Sequence, residues 1–542
     1  MVFAHFMMGI IANRKSAADY DGDMKAAKAA GIDAFALNIG TDSYAEEQLG
    51  YAYESAANND MKVFISFDFN WFSTGDATKV GAMIKEFGGK PGQLKVDNKA
   101  FVSSFVGDGL DVATVRSTAG MDLYLVPNFK AGGDASGIDG AFNWMAWDSN
   151  GANRAPSGGT NVTVSQGDDT YKQWLGDKAY MAPVSPWFHT HYGPEVSYSK
   201  NWVFPGDLLW YNRWNEILEL QPPFVEIITW NDYGESHYVG PLSSPHGDDG
   251  NSKWANDMPH NGWLEMAKPF IAAYKAGQKT PAIDEDKLVY WYRPTPKTLD
   301  CTATDTIGER PDGYDTMEDS VFVVSLLKTA GSVTATSGSN TQTFDAPAGA
   351  AAFSVKMGVG AQTFSLSRDG TEVMKETSLR DVMDTCPCGI YNYNAFVGTV
   401  PAGEQDQLQP DSYAMLSNGL KTECQANALP IRASGSVPEN PITPSATPEP
   451  SSTPVSGTVA DTPKVSATSA AAVTSAAPSF DAPPTPKITP TPTATQQAGS
   501  GSCTMTVTAS SQIAPTNCLA SGQAWGGEGA TPDCCDGATC CR

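Results

Sequence analysis

The sequence predicts an α/β chain: a (β/α)8 barrel, then a β-sandwich domain, a disordered Ser/Thr/Pro linker and a small cysteine-rich module. Three observations carry this. From residue 2 to about 277, eight short apolar runs alternate with amphipathic stretches, the pattern of repeated βα units around a parallel sheet. Beyond residue 286 the runs alternate apolar and polar residues and break at glycines, as antiparallel strands do. From about 432 aromatic side chains almost vanish, and six of the ten cysteines then crowd between Cys503 and Cys541.

The eight runs are VFAHFMMG (2–9), DAFALNIG (33–40), KVFISFDF (62–69), FVSSFVGD (101–108), DLYLVPNF (122–129), AFNWMAW (141–147), YMAPVSPWF (180–188) and FVEIITWND (224–232). Between them lie helical patterns such as YDGDMKAAKAAG, EEQLGYAYESAANN, DATKVGAMIKEFG and LLWYNRWNEILEL, and GWLEMAKPFIAAYKAG follows the last run. Glycine closes several of these. Eight units in roughly 280 residues suit a barrel, whose usual size is about 250. An open doubly wound sheet is the competing arrangement, but no glycine-rich dinucleotide fingerprint follows the first run.

The barrel is expected over 1–280 and the sandwich over 286–430, where SVFVVSLL, GSVTATSG, AAAFSVKMG and QTFSLSRDG supply strands. Residues 432–500 are too poor in apolar side chains to fold and read as an O-glycosylated linker. Residues 501–542 read as a small disulfide module, with Trp525 among glycines. It stops directly after Cys541-Arg542 and is expected to be incomplete. Disulfides imply secretion, yet MVFAHFMMGI has neither a basic n-region nor a small-residue cleavage site, so either upstream sequence with a signal peptide is expected or export is unconventional.

A net charge of −25 leaves no basic stripe for phosphates and repels anionic lipid, so neither nucleic acid nor membrane is an expected partner. No apolar stretch approaches the roughly 20 residues that span a bilayer. Zinc would need the two-residue ligand spacing of a knuckle, which Cys386-Pro-Cys388 and Cys534-Cys535 lack, and no histidine lies beyond His260. The reading is therefore of a monomer with no metal and no cofactor. A G-x-S-x-G elbow, a P-loop and an H-E-x-x-H are all missing, which removes serine hydrolase, NTPase and zincin chemistry.

In such a barrel the carboxyl ends of the strands carry the active site. Asp232 and Glu235 stand at the end of the eighth run in TWNDYGESHY. Residues three apart span roughly 10 Å when extended, and a turn at Gly234 would bring them near the ~6.5–9.5 Å between the carboxyls of an inverting glycosidase. The plainer alternative is that Asp232 caps a helix and Glu235 is solvated. The neighbours favour chemistry: Trp230, Tyr233, His237 and Tyr238 offer flat faces with polar tips, which suit a sugar ring. Asp68, Trp71, Asn38, His5, Asn128, Trp147 and Asp148 stand at other strand ends. In the WFHTHYG segment, Trp187, His189 and His191 read as subsite residues, since no third metal ligand accompanies the two histidines.

Together VFAHFMMG, GIDAFALNIG, VFISFDF, WNDYGESHYVGP and LVYWYRPTPK resemble fungal α-1,3-glucanases (mutanases) of glycoside hydrolase family 71, over about residues 1–430. The resemblance implies inverting endo-hydrolysis of α-1,3-glucan, with the acidic pair falling on Asp232 and Glu235. The assignment taken here is Glu235 as acid and Asp232 as base, with Asp68 the other candidate for base. The linker and tail are similar to those of members that carry a family 24 carbohydrate-binding module. A related barrel endo-glycosidase and a non-catalytic wall-glucan-binding protein are the alternatives.

Overall fold

The computed structural model describes residues 1–403, apart from 195, 197 and 248–252. The expected linker, the cysteine-rich module with Trp525, and the last part of the expected sandwich lie outside the described residues.

Eight parallel strands organise the first region: β1 (Val2–Met7), β2 (Ala34–Ile39), β3 (Lys62–Asp68), β4 (Lys99–Phe105), β5 (Leu123–Pro127), β6 (Gly140–Phe142), β7 (Ala179–Val184) and β8 (Phe224–Ile227). Each overlaps one of the eight apolar runs. They pair side by side in the order β5-β4-β3-β2-β1-β8-β7-β6. The sheet curls, and Asp139, just ahead of β6, bonds to both β5 and β7. The amide of Asp139 donates to the Leu125 carbonyl at 2.9 Å, its carboxylate accepts from the Leu125 amide at 2.9 Å, and its carbonyl accepts from the Ala179 amide at 3.1 Å. This curl is consistent with a barrel.

Strands buried on both faces read as near-continuous apolar runs, and alternation decides which face each side chain takes. Phe3, Ala34, Ala36, Phe64, Phe101, Phe142, Met181 and Phe224 cluster inside the curl. Val2, Ala4, Phe6, Phe35, Leu37, Val63 and Ile65 face outward against the helices. Two residues beyond Phe3 and Phe224 the inner face turns polar, with His5 and Glu226. The polar character continues at the carboxyl ends with Asn38 and Asp68.

Helices Asp21–Ala29, Ala45–Asn58, Ala77–Phe87, Val112–Ala119, Val164–Leu175, Leu209–Leu220 and Asn261–Lys275 pack on the outside. Their starts are written locally. Asp111 caps Val112–Ala119 by accepting from the Thr114 amide, and Thr163 with Gln166 forms a capping box ahead of Val164–Leu175. Among the described residues no helix joins β5 to β6. The connecting stretch NFKAGGDASGID is rich in glycine, serine and aspartate, which favour turns over a helix interior.

The second region holds two four-stranded antiparallel sheets. One orders its strands Gly349–Lys356, Ser320–Leu327, Lys287–Tyr292 and Phe396–Val400; the other orders Asn340–Ala346, Gly331–Ser337, Gln362–Arg368 and Thr371–Thr377. Leu288, Tyr290 and Val323 face the second sheet, where Tyr290 stacks on Phe364 with centroids 4.0 Å apart. Val289 and Trp291 turn the other way, and Trp291 meets Trp263 of helix Asn261–Lys275. The first sheet is thus covered on both faces. A disulfide joins Cys301 to Cys386 across 85 residues of sequence.

Candidate active site

The chain leaving β8 folds back on itself, and this brings the acidic motif together. Thr229 accepts from the Val239 amide at 3.0 Å and its own amide donates to the His237 carbonyl at 2.9 Å, so residues 229–239 form a closed loop. The loop is fastened to β1: the Trp230 amide donates to the His5 carbonyl at 2.7 Å, and the Met7 amide donates to Asn231 Oδ1 at 2.7 Å. Asp232 caps the short 3-10 turn Tyr233–Glu235, accepting from the Glu235 amide at 3.1 Å. The capping role that the sequence allowed for Asp232 is thus present, on a 3-10 turn. Gly234 is required by what lies above it, since a Cβ there would sit 2.0 Å from the Tyr192 hydroxyl.

Glu235 is not solvated; its side chain is 17% exposed and both oxygens are engaged. One receives the Lys200 ammonium and the other lies 2.9 Å from His237 Nε2. The Thr229 hydroxyl accepts from the Asp232 amide at 2.9 Å and lies 3.1 Å from His237 Nδ1, while the ionised Glu235 carboxylate, an acceptor only, takes the N–H of His237 Nε2. Burial works to raise the pKa of Glu235, but Lys200 and His237 outweigh it and hold the carboxyl ionised. Burial and the charge of Glu235 push Asp232 the other way, towards its protonated form. Burial also raises Asp68, to about 6, against the opposing pull of the Asn70 amide, 2.9 Å from its carboxylate, and of His5 and Asn38.

Of the residues expected from the sequence, Asp68, Asn38, His5, Asp232, Glu235 and His237 gather at these strand ends. Trp71 stands beside Gly40 just beyond β3 and is 64% exposed. The others serve the framework. Trp147 donates its indole N–H to the Trp187 carbonyl at 3.0 Å, Trp187 donates to the Tyr393 carbonyl at 2.8 Å, and Trp230 donates to Asp23 at 2.9 Å. The Tyr233 hydroxyl donates to the Pro241 carbonyl at 2.8 Å. Asn128 bridges the Val106 amide and the Phe142 carbonyl, and Asp148 accepts from the Val164 amide at the start of a helix. His189 is fully buried beside Trp254 and Tyr393, where desolvation holds it neutral. Trp147 does back the site, with its ring 5.7 Å from that of His237.

Two residues escape sequence reading. Glu226, fully buried in β8, lies 2.7 Å from His5 Nδ1. A charged residue in the middle of FVEII was the available signal, because an unpaired carboxylate is almost never buried. Lys200 carries no such mark in YSKNWV. Donor atoms of Asp232, Glu235 and His237 lie within 4.8 Å of one another, close enough to share a metal ion. The Lys200 ammonium already occupies Glu235, and a cation placed there would be repelled by it.

Paired carboxylates with opposed proton affinities, set at the mouth of a curled parallel sheet, are what a glycoside hydrolase needs. Comparison with known proteins agrees. The sequence profile of glycosyl hydrolase family 71 matches residues 1–409, and the chain belongs to that family. A mutanase of Penicillium rubens is 45% identical over 410 residues, covering 74% of this chain and 89% of that protein. A glucan endo-1,3-alpha-glucosidase of Schizosaccharomyces pombe is 38% identical over 425 residues, covering 74% and 94%. Among solved structures, an endo-alpha-mannosidase from Bacteroides thetaiotaomicron matches with a TM-score of 0.38 and 12% identity, over 51% of this chain and 98% of that one, too distant to carry further argument.

Proposed function

We propose that this chain hydrolyses internal bonds of α-1,3-glucan with inversion, using Asp232 and Glu235 as the acid–base pair. The substrate follows from the relatives' names, a mutanase and a glucan endo-1,3-alpha-glucosidase. The observation that carries the acid–base reading is the convergence of Asp232 and Glu235 in one closed loop with their proton affinities driven apart. An oxygen of each lies within 4.8 Å of the other, closer than the ~6.5–9.5 Å the sequence led one to expect, so inversion rests on the family resemblance and not on this spacing. Inversion needs one carboxyl to protonate the departing oxygen while the other draws a proton from the attacking water. The motif suggests Glu235 as acid and Asp232 as base. The charges around the pair rank it the other way, so in the first assignment Glu235 must exchange Lys200 for a proton when sugar binds. Asp68, beside them, is the alternative partner.

The test is release of reducing sugar from insoluble α-1,3-, α-1,4- and β-1,3-glucans, with NMR of the fresh product. Activity on the α-1,3 polymer alone, β-anomer first, is expected; α-anomer first would rule out direct attack by water. The roles separate on an α-configured glucosyl fluoride substrate, which needs no acid. The acid-less variant keeps its activity there, and the base-less variant is rescued by azide.

The same proposal includes closure of the curled sheet into a full (β/α)8 barrel over 1–280, a sandwich over 286–430, and a secreted monomer acting at the cell wall. In this reading the tail is a glucan-binding module like those of carbohydrate-binding module family 24. Pull-down of residues 501–542 on insoluble α-1,3-glucan under oxidising conditions checks it, and no binding would leave the tail without that role.

A further inference from the structure

The connection after β7 forms a hairpin whose strands His189–Tyr192 and Lys200–Val203 pair antiparallel, with Lys200 opposite Tyr192. From there the Lys200 ammonium reaches Glu235 and lies 6.0 Å from the centroid of the Tyr192 ring. Both ends of the ion pair are largely shielded, with Lys200 24% and Glu235 17% exposed. Exposed ion pairs contribute little, but shielding strengthens this one.

The hairpin that delivers the lysine is itself held firmly. His191 lies 2.7 Å from Asp305 through Nε2 and 2.7 Å from Asn201 through Nδ1. The Val203 amide donates to the Asp312 carbonyl at 2.9 Å, and the Asp312 amide returns a bond to the Asn201 carbonyl at 3.0 Å. Asp305 also accepts from the Tyr391 amide at 2.7 Å. Cys301 and Cys386 join the two segments that carry Asp305 and Tyr391. Lys200 is therefore presented from a braced strand rather than a free loop.

We propose that Lys200 is a positioning residue for hydrolysis, fixing both the orientation and the charge of Glu235 before substrate arrives. This rests on the acid–base reading of Asp232 and Glu235. The groups facing Glu235 are Asp232 on its own turn, His237 two residues on, Lys200 from the hairpin and Asp68 from the end of β3. Lys200 is the permanent positive charge among them. Without it Glu235 faces two other carboxyls, so its affinity for a proton rises.

Lys200→Met keeps most of the length of the side chain and removes the charge, and Lys200→Arg keeps the charge. On soluble α-1,3-gluco-oligosaccharides, Lys200→Met should move one limb of the kcat/KM against pH profile upward by about one unit or more, and Lys200→Arg should restore most of it. Movement of the acidic limb makes Glu235 the base; movement of the alkaline limb makes it the acid. A folded Lys200→Met enzyme with both limbs unchanged overturns the proposal, as does loss of activity at every pH in both variants. Failure of the underlying reading looks different, because Glu235→Gln would then retain wild-type turnover whatever Lys200 does.

Discussion

The two sheet-bearing regions bury strands in the same way and treat charge in opposite ways. In the parallel region, His5 and Glu226 are paired inside the curl, and Asp68 sits at a strand end with its proton affinity raised. In the strands of the two antiparallel sheets, no Asp, Glu or His side chain is buried among the described residues. Those sheets fill their interior with Tyr290, Phe364, Val323 and similar side chains, and keep threonine pairs such as Thr334–Thr343 and Thr363–Thr377 for the exposed side. Burying a charge costs stability unless it is paired. Strands that tolerate that cost are organised around chemistry and strands that avoid it around packing, whereas the second region places its buried charges, Arg293, Asp305 and Arg380, outside its strands.

The sharpest break of this contrast is Glu226→Ala, which leaves His5 buried without its partner. A loss of about 3–5 kcal/mol in denaturant-measured stability is expected. A loss below ~1 kcal/mol would mean that the His5–Glu226 contact contributes little to stability. Next come Asp232→Asn and Glu235→Gln, each expected to lower kcat at least ~100-fold, about 2.7 kcal/mol of barrier, without unfolding the protein. Turnover within threefold of wild type would remove that residue from the mechanism.

Asp68 offers a third measure, in the reverse direction. Its folded pKa of about 6 lies above the usual carboxylate value, so the native state favours the protonated form. The associated stability is full below about pH 4 and is lost as pH rises through 6. Asp68→Asn should therefore stabilise the protein by up to about 3 kcal/mol at pH 7 and by almost nothing at pH 4, while activity falls. Equal melting temperatures at pH 7 would contradict the buried charge. The smallest effect is reserved for the second region, where Asp286 pairs with Arg368 at 2.6 Å near the surface. Asp286→Asn is expected to cost less than ~1 kcal/mol, measured by the same denaturation.

Much of the first region was legible because strands covered on both faces leave continuous apolar runs, and all eight were readable in order. The motif at Asp232 and Glu235 was legible because a glycine, two acids and a histidine concentrate in seven residues between Asn231 and His237. Orientation was not. Trp230 and Trp71 look equally suited to a sugar, yet one donates to Asp23, distant in sequence, and the other stands open. Nothing local decides between them, since partners over 200 residues away set the direction of the ring. Lys200 was hidden for the same reason: only the hairpin's bracing against residues 305–312 shows where its ammonium goes. The missing helix between β5 and β6 could have been read from its glycines.

The contact between Gly234 and the Tyr192 hydroxyl carries an evolutionary implication. Two positions that share so little space cannot drift independently. Among descendants of this fold, a side chain at the position of Gly234 should appear only where the Tyr192 position has become smaller, and the glycine should persist wherever the tyrosine does. Paired substitution at these two sites would date a change in the acidic turn itself, even in lineages where both carboxylates are kept.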